Sequence, residues 1–287
     1  NGVEVRNGDN NPATNGVFLV RSESWGYSSP TLCDLDGDQK DDIIFGTSYW
    51  SDQNALLAYR YNGTVVPGFP YSTDTRRIIC SPAIGDLDGN GDLEIVFFDV
   101  NHYLHVVRQN GTVYPGFPIV RSVTWDDSAG PSPALGDFDH DNQLEIVWPI
   151  NGGGQRCDLV LVDTGIGDGT SGDVMAGWPV QLPGNSESSP VVGDITGGGN
   201  LDIVMGIGGG ATEAPDNLYA LHATGAGITG FPINLDGPIR ATPTLCDLDH
   251  DGNINIVCGS WDRLLHVWSM PFPYDRDLVP WPTFHGN

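Results

Sequence analysis

Short apolar runs, separated by polar stretches rich in glycine, recur along the whole chain. Five of these runs are built alike, each starting with isoleucine: Ile43–Phe45, Ile95–Phe97, Ile146–Trp148, Ile203–Met205 and Ile256–Cys258. Runs of this length, bounded by turn residues and rich in β-branched and aromatic residues, are typical of buried strands. The pattern therefore predicts an all-β chain.

Each run belongs to a longer repeat that contains four predicted strands. In the first repeat these strands lie at 29–33, 42–46, 55–61 and 68–72, and the second repeat follows the same order. Successive repeats begin 52, 51, 57 and 53 residues apart. Four short strands in about 50 residues, repeated along the chain, are the signature of a β-propeller blade. The sequence predicts a five-bladed β-propeller of four-stranded antiparallel blades.

The two ends of the chain suggest how the ring closes. Residues 17–25 resemble 117–125, the outer strand of the second repeat, whereas the fifth repeat supplies only three strands. We therefore expect the N-terminal strand to complete the last blade and close the ring. Alternatively, 279–282 resembles 176–179 and would itself be the fourth strand. The predicted domains are an irregular leader at 1–15, the propeller at 16–271 and a tail at 272–287.

A polar loop precedes each apolar run and places oxygen-bearing side chains at alternate positions. Several carboxylates aimed at one point repel one another unless a hard cation lies between them, and calcium takes six to eight oxygen ligands, some of them backbone carbonyls. Counting from the first aspartate, the candidate ligands at positions 1, 3, 5, 7 and 9 are Asp34, Asp36, Asp38, Lys40 (through its carbonyl) and Asp42; Asp86, Asp88, Asn90, Asp92 and Glu94; Asp137, Asp139, Asp141, Gln143 and Glu145; Asp194, Thr196, Asn200 and Asp202, with Gly198 at position 5; and Asp247, Asp249, Asp251, Asn253 and Asn255.

These loops differ from an EF-hand, which needs a bidentate glutamate at position 12 and flanking helices. Position 12 is apolar in all five loops and lies in the predicted strand. The alternative that Asp, Asn and Gly merely form turns does not account for five copies of one spacing. Because affinity follows ligand charge, we expect about four to five calcium ions, with the fourth site weak or empty since it keeps only Asp194 and Asp202.

The loop pattern D-x-D-x-D-G-x-x-D/E, followed by apolar residues and preceded by Ser-Pro as at Ser29-Pro30 and Ser81-Pro82, resembles the FG-GAP (or VCBS) calcium repeat. This repeat is familiar from the propellers of integrin α subunits and from many secreted bacterial proteins. The resemblance implies calcium between the first and second strands of each blade. The fourth loop departs from the pattern, and familiar members have more blades than five. Residues 281–285 resemble segments that follow such propellers, which implies one domain of a larger chain.

Charge and composition narrow the possible partners. The formal net charge of −25 argues against binding to nucleic acid, whose partners carry basic patches. No apolar run is long enough to span a membrane, so no membrane insertion is expected. Extracellular calcium concentrations suit loops of this kind, which predicts a secreted or cell-surface location. The five cysteines form no CxxC motif, and we expect buried free thiols with one disulfide possible.

No catalytic motif is visible, so we expect no catalytic residue and no cofactor besides calcium. Three aromatic residues, Trp50, Tyr103 and Trp261, lie in or near connections between second and third strands. They are candidates for stacking on sugars or on a protein partner, or else they cap the core between blades. The leading hypothesis is a non-catalytic adhesion or binding module with a protein or glycan ligand. The alternatives are a lectin-like glycan binder and the scaffold of a polysaccharide-degrading enzyme.

Overall fold

A computed structural model describes residues 28–48, 54–73, 77–121, 130–152, 156–165, 172–208 and 216–283. Within these ranges the chain forms five antiparallel sheets, one per repeat, and one short 3-10 helix. The all-β prediction is confirmed. The predicted leader and the N-terminal closing strand at 17–25 lie outside the described residues. None of the helical structure in the described ranges has the length or apolarity needed for a membrane span.

The sheets are simple meanders whose strand order follows the chain. The first sheet contains β1 (Thr31–Cys33), β2 (Asp42–Gly46), β3 (Ala55–Tyr59) and β4 (Tyr71–Ser72). The second contains β5 (Ala83–Gly85), β6 (Glu94–Phe98), β7 (Tyr103–Arg108) and β8 (Ile119–Val120). The third contains β9 (Ala134–Gly136), β10 (Glu145–Gly152), β11 (Arg156–Val162) and β12 (Val180–Pro183). The fourth contains β13 (Val191–Gly193), β14 (Asp202–Ile207), β15 (Asn217–His222) and β16 (Ile233–Asn234). The fifth contains β17 (Thr244–Cys246), β18 (Asn253–Gly259) and β19 (Leu265–Pro273), and the 3-10 helix spans Arg276–Leu278.

Neighbouring sheets pack face to face, which is why their second strands are apolar on both sides. Every residue of β6 and β10 is buried, and Trp148 and Phe97 are among the largest fully buried side chains. The first strands of consecutive sheets contact one another in chain order. A Cβ added to Gly136 would lie 2.8 Å from Leu201 Cδ1 and 3.1 Å from Val192 Cγ1 of the next sheet, so only glycine permits this approach. All five cysteines are free, as expected.

A ladder of hydrogen bonds joins the sheets just before their first strands. The backbone N–H of Ser29 donates to the hydroxyl of Ser81 (2.8 Å), and Ser81 donates in turn to Ser132 (2.9 Å). The same bond runs from Ser132 to Ser189 (2.8 Å) and from Ser189 to Thr242 (3.2 Å). Each of these residues precedes a proline in the sequence. The Ser/Thr-Pro dipeptide therefore fixes each repeat against the next with the same geometry.

The segment after β19 lies against the first strands of the fourth and fifth sheets. Val192 in β13 donates its N–H to the carbonyl of Trp281 (2.8 Å) and accepts the Trp281 N–H in return (3.3 Å). Leu245 in β17 donates to the carbonyl of Pro282 (2.9 Å). Residues 279–282 are therefore not the fourth strand of the last sheet, because they pair with β13 rather than with β19.

The outer edge of the fifth sheet carries no fourth strand within the described residues. Leu265 is 71 % exposed, whereas Leu104, at the corresponding place in β7, is fully buried and pairs with Ile119 of β8. Leu264 is likewise 60 % exposed. In each of the other four sheets a fourth strand covers the corresponding edge, whereas the fifth sheet presents an apolar edge within the described residues. Closure by residues 17–25 stays a prediction.

The ladder predicts a stability difference between two serines of the same motif. Ser132→Ala removes the acceptor of the buried Ser81 N–H, and an unsatisfied buried donor costs about 1–3 kcal/mol. Ser29 is exposed, and among the described residues its hydroxyl accepts no ladder bond. Urea unfolding should therefore show a clear loss of stability for Ser132→Ala and almost none for Ser29→Ala. Equal losses in the two variants would contradict a role for the ladder.

Candidate metal centres

The first aspartate closes each loop through its backbone. Asp86 Oδ1 accepts the N–H of Asn90 (3.0 Å), and its Oδ2 accepts the N–H of Gly91 (2.8 Å). The residues at positions 5 and 6 donate to position 1 in the same way in the other four loops: Asp38 and Gln39 to Asp34, Asp141 and Asn142 to Asp137, Gly198 and Gly199 to Asp194, and Asp251 and Gly252 to Asp247. The aspartate at position 1 therefore holds the backbone of positions 5 and 6 in all five loops.

Positions 4 and 6 adopt left-handed backbone conformations in every loop. Glycine holds both places in the second and fourth loops, and His140 and Asn142 hold them in the third with φ of 66° and 67°. Glycine reaches this region without strain, and Asn and His are among the other residues found there. His140 and His250 are exposed, and the left-handed turn explains which residue types recur at these positions.

Position 9 is buried in every loop: it is a carboxylate that opens the second strand in the first four loops, and it is Asn255, within β18, in the fifth. Glu94 Oε2 accepts the N–H of Leu87 (3.0 Å), and Glu145 Oε2 accepts the N–H of Phe138 (2.6 Å). Glu94 Oε1 and Asp42 Oδ2 are buried and have no hydrogen-bond partner. An unpartnered carboxylate oxygen is costly to bury, so these atoms require either a proton or a cation beside them.

In four of the five loops the structure brings three carboxylates together, with their oxygens within 4.8 Å of one another. These groups are Asp34, Asp36 and Asp38; Asp86, Asp88 and Glu94; Asp137, Asp139 and Glu145; and Asp247, Asp249 and Asp251. The fourth loop forms no such group among the residues that the structure describes. The spacing suits the small shell of oxygens around a hard divalent cation.

The remaining predicted ligand positions are less convergent. Asn90 Oδ1 accepts the N–H of Asp92 (2.6 Å), and Asn255 Oδ1 accepts the N–H of Leu248 (2.7 Å). Side chains at position 7 bond to neighbours outside the three-carboxylate groups or to a single member of the loop: Lys40 to Tyr61, Asp92 to Gln109, Gln143 to Asp141, Asn200 to the Gly198 carbonyl and Asn253 to Asp251. The predicted contribution of the position 7 carbonyl, including that of Lys40, stays a prediction.

Sequence reasoning missed the third-strand residue that faces position 9. Strand register places Arg108 opposite Glu94, His222 opposite Asp202 and Ser269 opposite Asn255. Continuing the register by one residue places Arg60 opposite Asp42 and Asp163 opposite Glu145. The only signal in the sequence is a polar residue at or near the end of an apolar third strand. That this residue faces position 9 is evident only from the pairing of the second and third strands.

The electrostatics of position 9 follow from burial. Burial raises the pKa of Asp42 to about 6, of Glu94 to about 7 and of Glu145 to about 8, and the other loop carboxylates add to each rise. In the first loop Arg60 Nε also lies 2.6 Å from Asp36 Oδ2, so one loop carboxylate is already paired with a protein cation. The loops therefore hold concentrated negative charge that favours a bound proton or cation.

Comparison with known protein families identifies the repeat to which these loops belong. Residues 34–97 and 86–148 each match the model described as an FG-GAP-like repeat. The chain carries FG-GAP-like repeats. The two matches together span the first three loops, and each runs from the first aspartate of one loop to the apolar run that follows the next loop.

Similar solved structures include the V. cholerae biofilm matrix protein Bap1, which is 17% identical, with 80% of this chain and 43% of that chain covered and a TM-score of 0.45. BBS1N, in a complex with ARL6DN, is 13% identical over 93% and 86% of the two chains, with a TM-score of 0.44. The catalytic domain of a Coprinopsis cinerea GH62 α-L-arabinofuranosidase is 12% identical over 89% and 88%, with a TM-score of 0.33. The chain thus spans less than half of the matched Bap1 chain. No curated protein sequence matches.

Outside the loops of the FG-GAP-like repeats, the predicted aromatic candidates differ in exposure. Trp261 is 63 % exposed, and the Arg240 guanidinium lies 4.1 Å from its ring centroid. Arg240 is held by Glu187, with 2.9 Å between Nη1 and Oε1. Tyr103 is half-buried beside His105, and Trp50 lies outside the described residues. Of the two candidates that the structure describes, Trp261 is therefore the one whose ring is largely exposed.

The raised pKa values predict how the metal-free protein responds to pH. A carboxyl group with a higher pKa in the folded protein than in the unfolded chain binds protons more tightly when folded, so its contribution to stability is lost as pH rises through the folded value. We expect the melting temperature of metal-free protein to fall between about pH 5 and pH 8, the range set by Asp42, Glu94 and Glu145. Thermal melts across this range measure the slope.

Glu94→Gln tests this assignment because the amide cannot ionise, so its slope should be shallower than that of the wild type. Asp277→Asn, at an exposed carboxylate of the 3-10 helix, is the matched control and should keep the wild-type slope. A Glu94→Gln protein that keeps the full slope would show that the loop carboxylates do not govern the response.

Proposed function

We propose that the chain is a calcium-binding β-propeller that acts outside the cell as a non-catalytic binding or adhesion module. One observation carries the calcium assignment. Glu94 Oε1 is buried without a partner on a member of a three-carboxylate group, Asp42 Oδ2 is buried without a partner in the first loop, and each would be satisfied by a hard cation. The ligand sets are those of positions 1, 3, 5 and 9, with the carbonyl of position 7. The fourth site is proposed to be weak or empty.

Bound calcium would stiffen one face of the molecule, because adjacent loops touch. Leu144, at position 8 of the third loop, donates its N–H to the carbonyl of Leu87 in the second loop (3.0 Å). His140 of the third loop lies 3.2 Å from Asn200 of the fourth, between Nε2 and Oδ1. Neutralising charge inside each loop removes repulsion both within it and between it and its neighbour. The proposed role of the ions is thus to order a continuous row of loops.

The proposal includes a closed ring of five blades, with residues 17–25 as the outer strand of the last blade. The exposed Leu264 and Leu265 support this because the corresponding residues of the other sheets pair with a fourth strand. The extracellular location rests on the match between such loops and calcium affinities of about 10⁻⁴–10⁻³ M in extracellular modules. The ligand would be a protein or a glycan, and the chain would be one domain of a larger protein.

A lectin-like function is the second candidate, and Trp261 favours it. Its ring is held on one face by Arg240, which Glu187 fixes in turn, and its exposed area is available to a sugar ring. The backbone beneath it is pinned because the Trp261 N–H donates to the carbonyl of Pro238 (3.0 Å). A rigid, exposed aromatic ring beside a charged pair suits stacking together with hydrogen bonds to sugar hydroxyls.

Calcium binding predicts a stability change on chelation. A metal that binds only the folded state stabilises it by mass action, so removal with a chelator should lower the melting temperature by several degrees. Asp137→Ala should lose a bound ion in equilibrium dialysis, whereas Asp194→Ala should bind as many ions as the wild type. An unchanged melt after chelation would refute calcium binding, and loss of an ion from Asp194→Ala alone would reverse the ranking of the sites.

The choice between an adhesion module and a lectin is tested by ligand binding. The purified chain should be screened against glycans and extracellular matrix proteins with calcium present. Glycan binding that disappears in Trp261→Ala but survives in Val113→Ala, an exposed apolar residue of the second repeat, would favour the lectin-like function. Binding to a protein that both variants retain would favour adhesion elsewhere on the surface. Turnover of an acidic polysaccharide would contradict the non-catalytic proposal.

A further inference from the structure

The fourth loop differs from the others because its first carboxylate is surrounded by donors. Asp194 Oδ1 accepts the N–H groups of Thr196 (3.0 Å), Gly197 (2.7 Å) and Gly198 (3.2 Å), and Oδ2 accepts that of Gly199 (2.7 Å). Four backbone N–H groups thus provide hydrogen-bond donors to both oxygens of Asp194 without a metal. This half of the loop is complete as it stands.

The second carboxylate of the loop is also fully satisfied. Asp202 has no exposed surface, and its Oδ2 accepts the N–H of Ile195 (3.1 Å) and the hydroxyl of Thr196 (3.0 Å). Its Oδ1 lies 2.8 Å from His222 Nδ1. The corresponding oxygens of Asp42 and Glu94 in the first two loops have no partner at all. The imidazole therefore fills the place that is left open elsewhere.

His222 reaches this place from the end of β15, directly opposite Asp202 in the sheet register. Asp202 already accepts two hydrogen bonds at Oδ2, so we assign it as the acceptor at Oδ1 as well, with the proton on His222 Nδ1. Arg60 and Arg108 hold the corresponding positions in the first two repeats, but neither bonds to the buried oxygen of position 9. Arg60 instead pairs with Asp36. Among these three repeats, only in the fourth does the facing third-strand side chain bond to the carboxylate at position 9.

We propose that His222 stands in for the divalent cation in the fourth loop, which folds without metal and binds none. The contrast with the other loops rests on the proposed calcium binding. Thr196 at position 3 fits the same design, since its hydroxyl donates to Asp202 Oδ2 (3.0 Å) and lies 3.4 Å from Asp194 Oδ1, so that it links two carboxylates that an ion would otherwise bridge.

A metal-independent fourth loop has a structural consequence for the C-terminal segment. Asp194 donates its N–H to the carbonyl of Leu278 (2.8 Å). Phe272 lies so close to Gly197 that an added Cβ would be 2.8 Å from its Cδ1. The fourth loop therefore contacts the end of β19 through Phe272 and the segment after β19 through Leu278. Under this proposal it can make these contacts at any calcium concentration.

A transplant of ligands into the full chain tests the proposal. Gly198 has room for a side chain, since the nearest atoms to an added Cβ lie 3.8 Å away and its φ is not left-handed. Thr196→Asp with Gly198→Asp restores carboxylates at positions 3 and 5. The added change His222→Ser copies Ser269, the residue at the corresponding place in the fifth repeat. Bound calcium is counted by equilibrium dialysis.

We expect the triple variant to bind one ion more than the wild type. The double variant, which keeps His222, should bind that ion about tenfold more weakly or worse, because calcium must displace a charge-assisted hydrogen bond. Equal affinity in the two variants would overturn the proposal. So would the loss of an ion from Asp202→Asn, which should match the wild type while Glu94→Gln loses one.

A second measurement separates this proposal from calcium binding elsewhere. In metal-free buffer His222→Ala leaves a buried Asp202 oxygen without a donor, so its melting temperature should fall by several degrees relative to the wild type and to Ser269→Ala. If no loop bound calcium, the Glu94→Gln comparison would fail while this loss remained. An unchanged melting temperature for His222→Ala would overturn the role of His222 whatever the other loops bind.

Discussion

Repulsion among carboxylates gathered in one small loop is the constraint on which this structure depends. The first aspartate relieves part of it by accepting two backbone N–H groups, and this also sets the left-handed turns at positions 4 and 6. The buried carboxylate at position 9 is harder to satisfy, since one oxygen of Asp42 and one of Glu94 have no hydrogen-bond partner. The cation or hydrogen-bond donor that satisfies this oxygen therefore decides whether the loop and the second strand after it fold together.

The repeats are joined by interactions that would fail with larger or less polar residues. The hydroxyl ladder through Ser81, Ser132 and Ser189 needs a short side chain with an acceptor before each proline. The close approach of first strands needs glycine at places such as Gly136. These contacts recur from one repeat to the next, so the inter-sheet geometry helps to set the position of each loop relative to its neighbour, together with direct loop-to-loop contacts such as that of Leu144 with Leu87.

Much of this could be predicted from the sequence because it is local. The apolar runs predicted the second strands, and the alternation of carboxylates predicted the loops between first and second strands. Long-range pairing could not be predicted in this way. The contact between Trp281 and Val192 joins residues far apart in sequence, and nothing in 279–282 indicates a partner in β13. The role of His222 in the fourth loop could not be predicted from the sequence either, because it follows from the β14–β15 register.

The repeat in which the acidic pattern is most degraded is also the one that carries the C-terminal segment. Loss of carboxylates at positions 3 and 5 would be expected to weaken a loop that relies on an ion. In the fourth repeat this loss is matched by donors: a hydroxyl from Thr196 and an imidazole from His222, both aimed at Asp202. The segment after β19 in turn takes its hydrogen bond from the backbone of Asp194. The loop that departs most from the repeat pattern is thus also a loop that bonds to the segment after β19, and the contacts within and around it are supplied by protein groups.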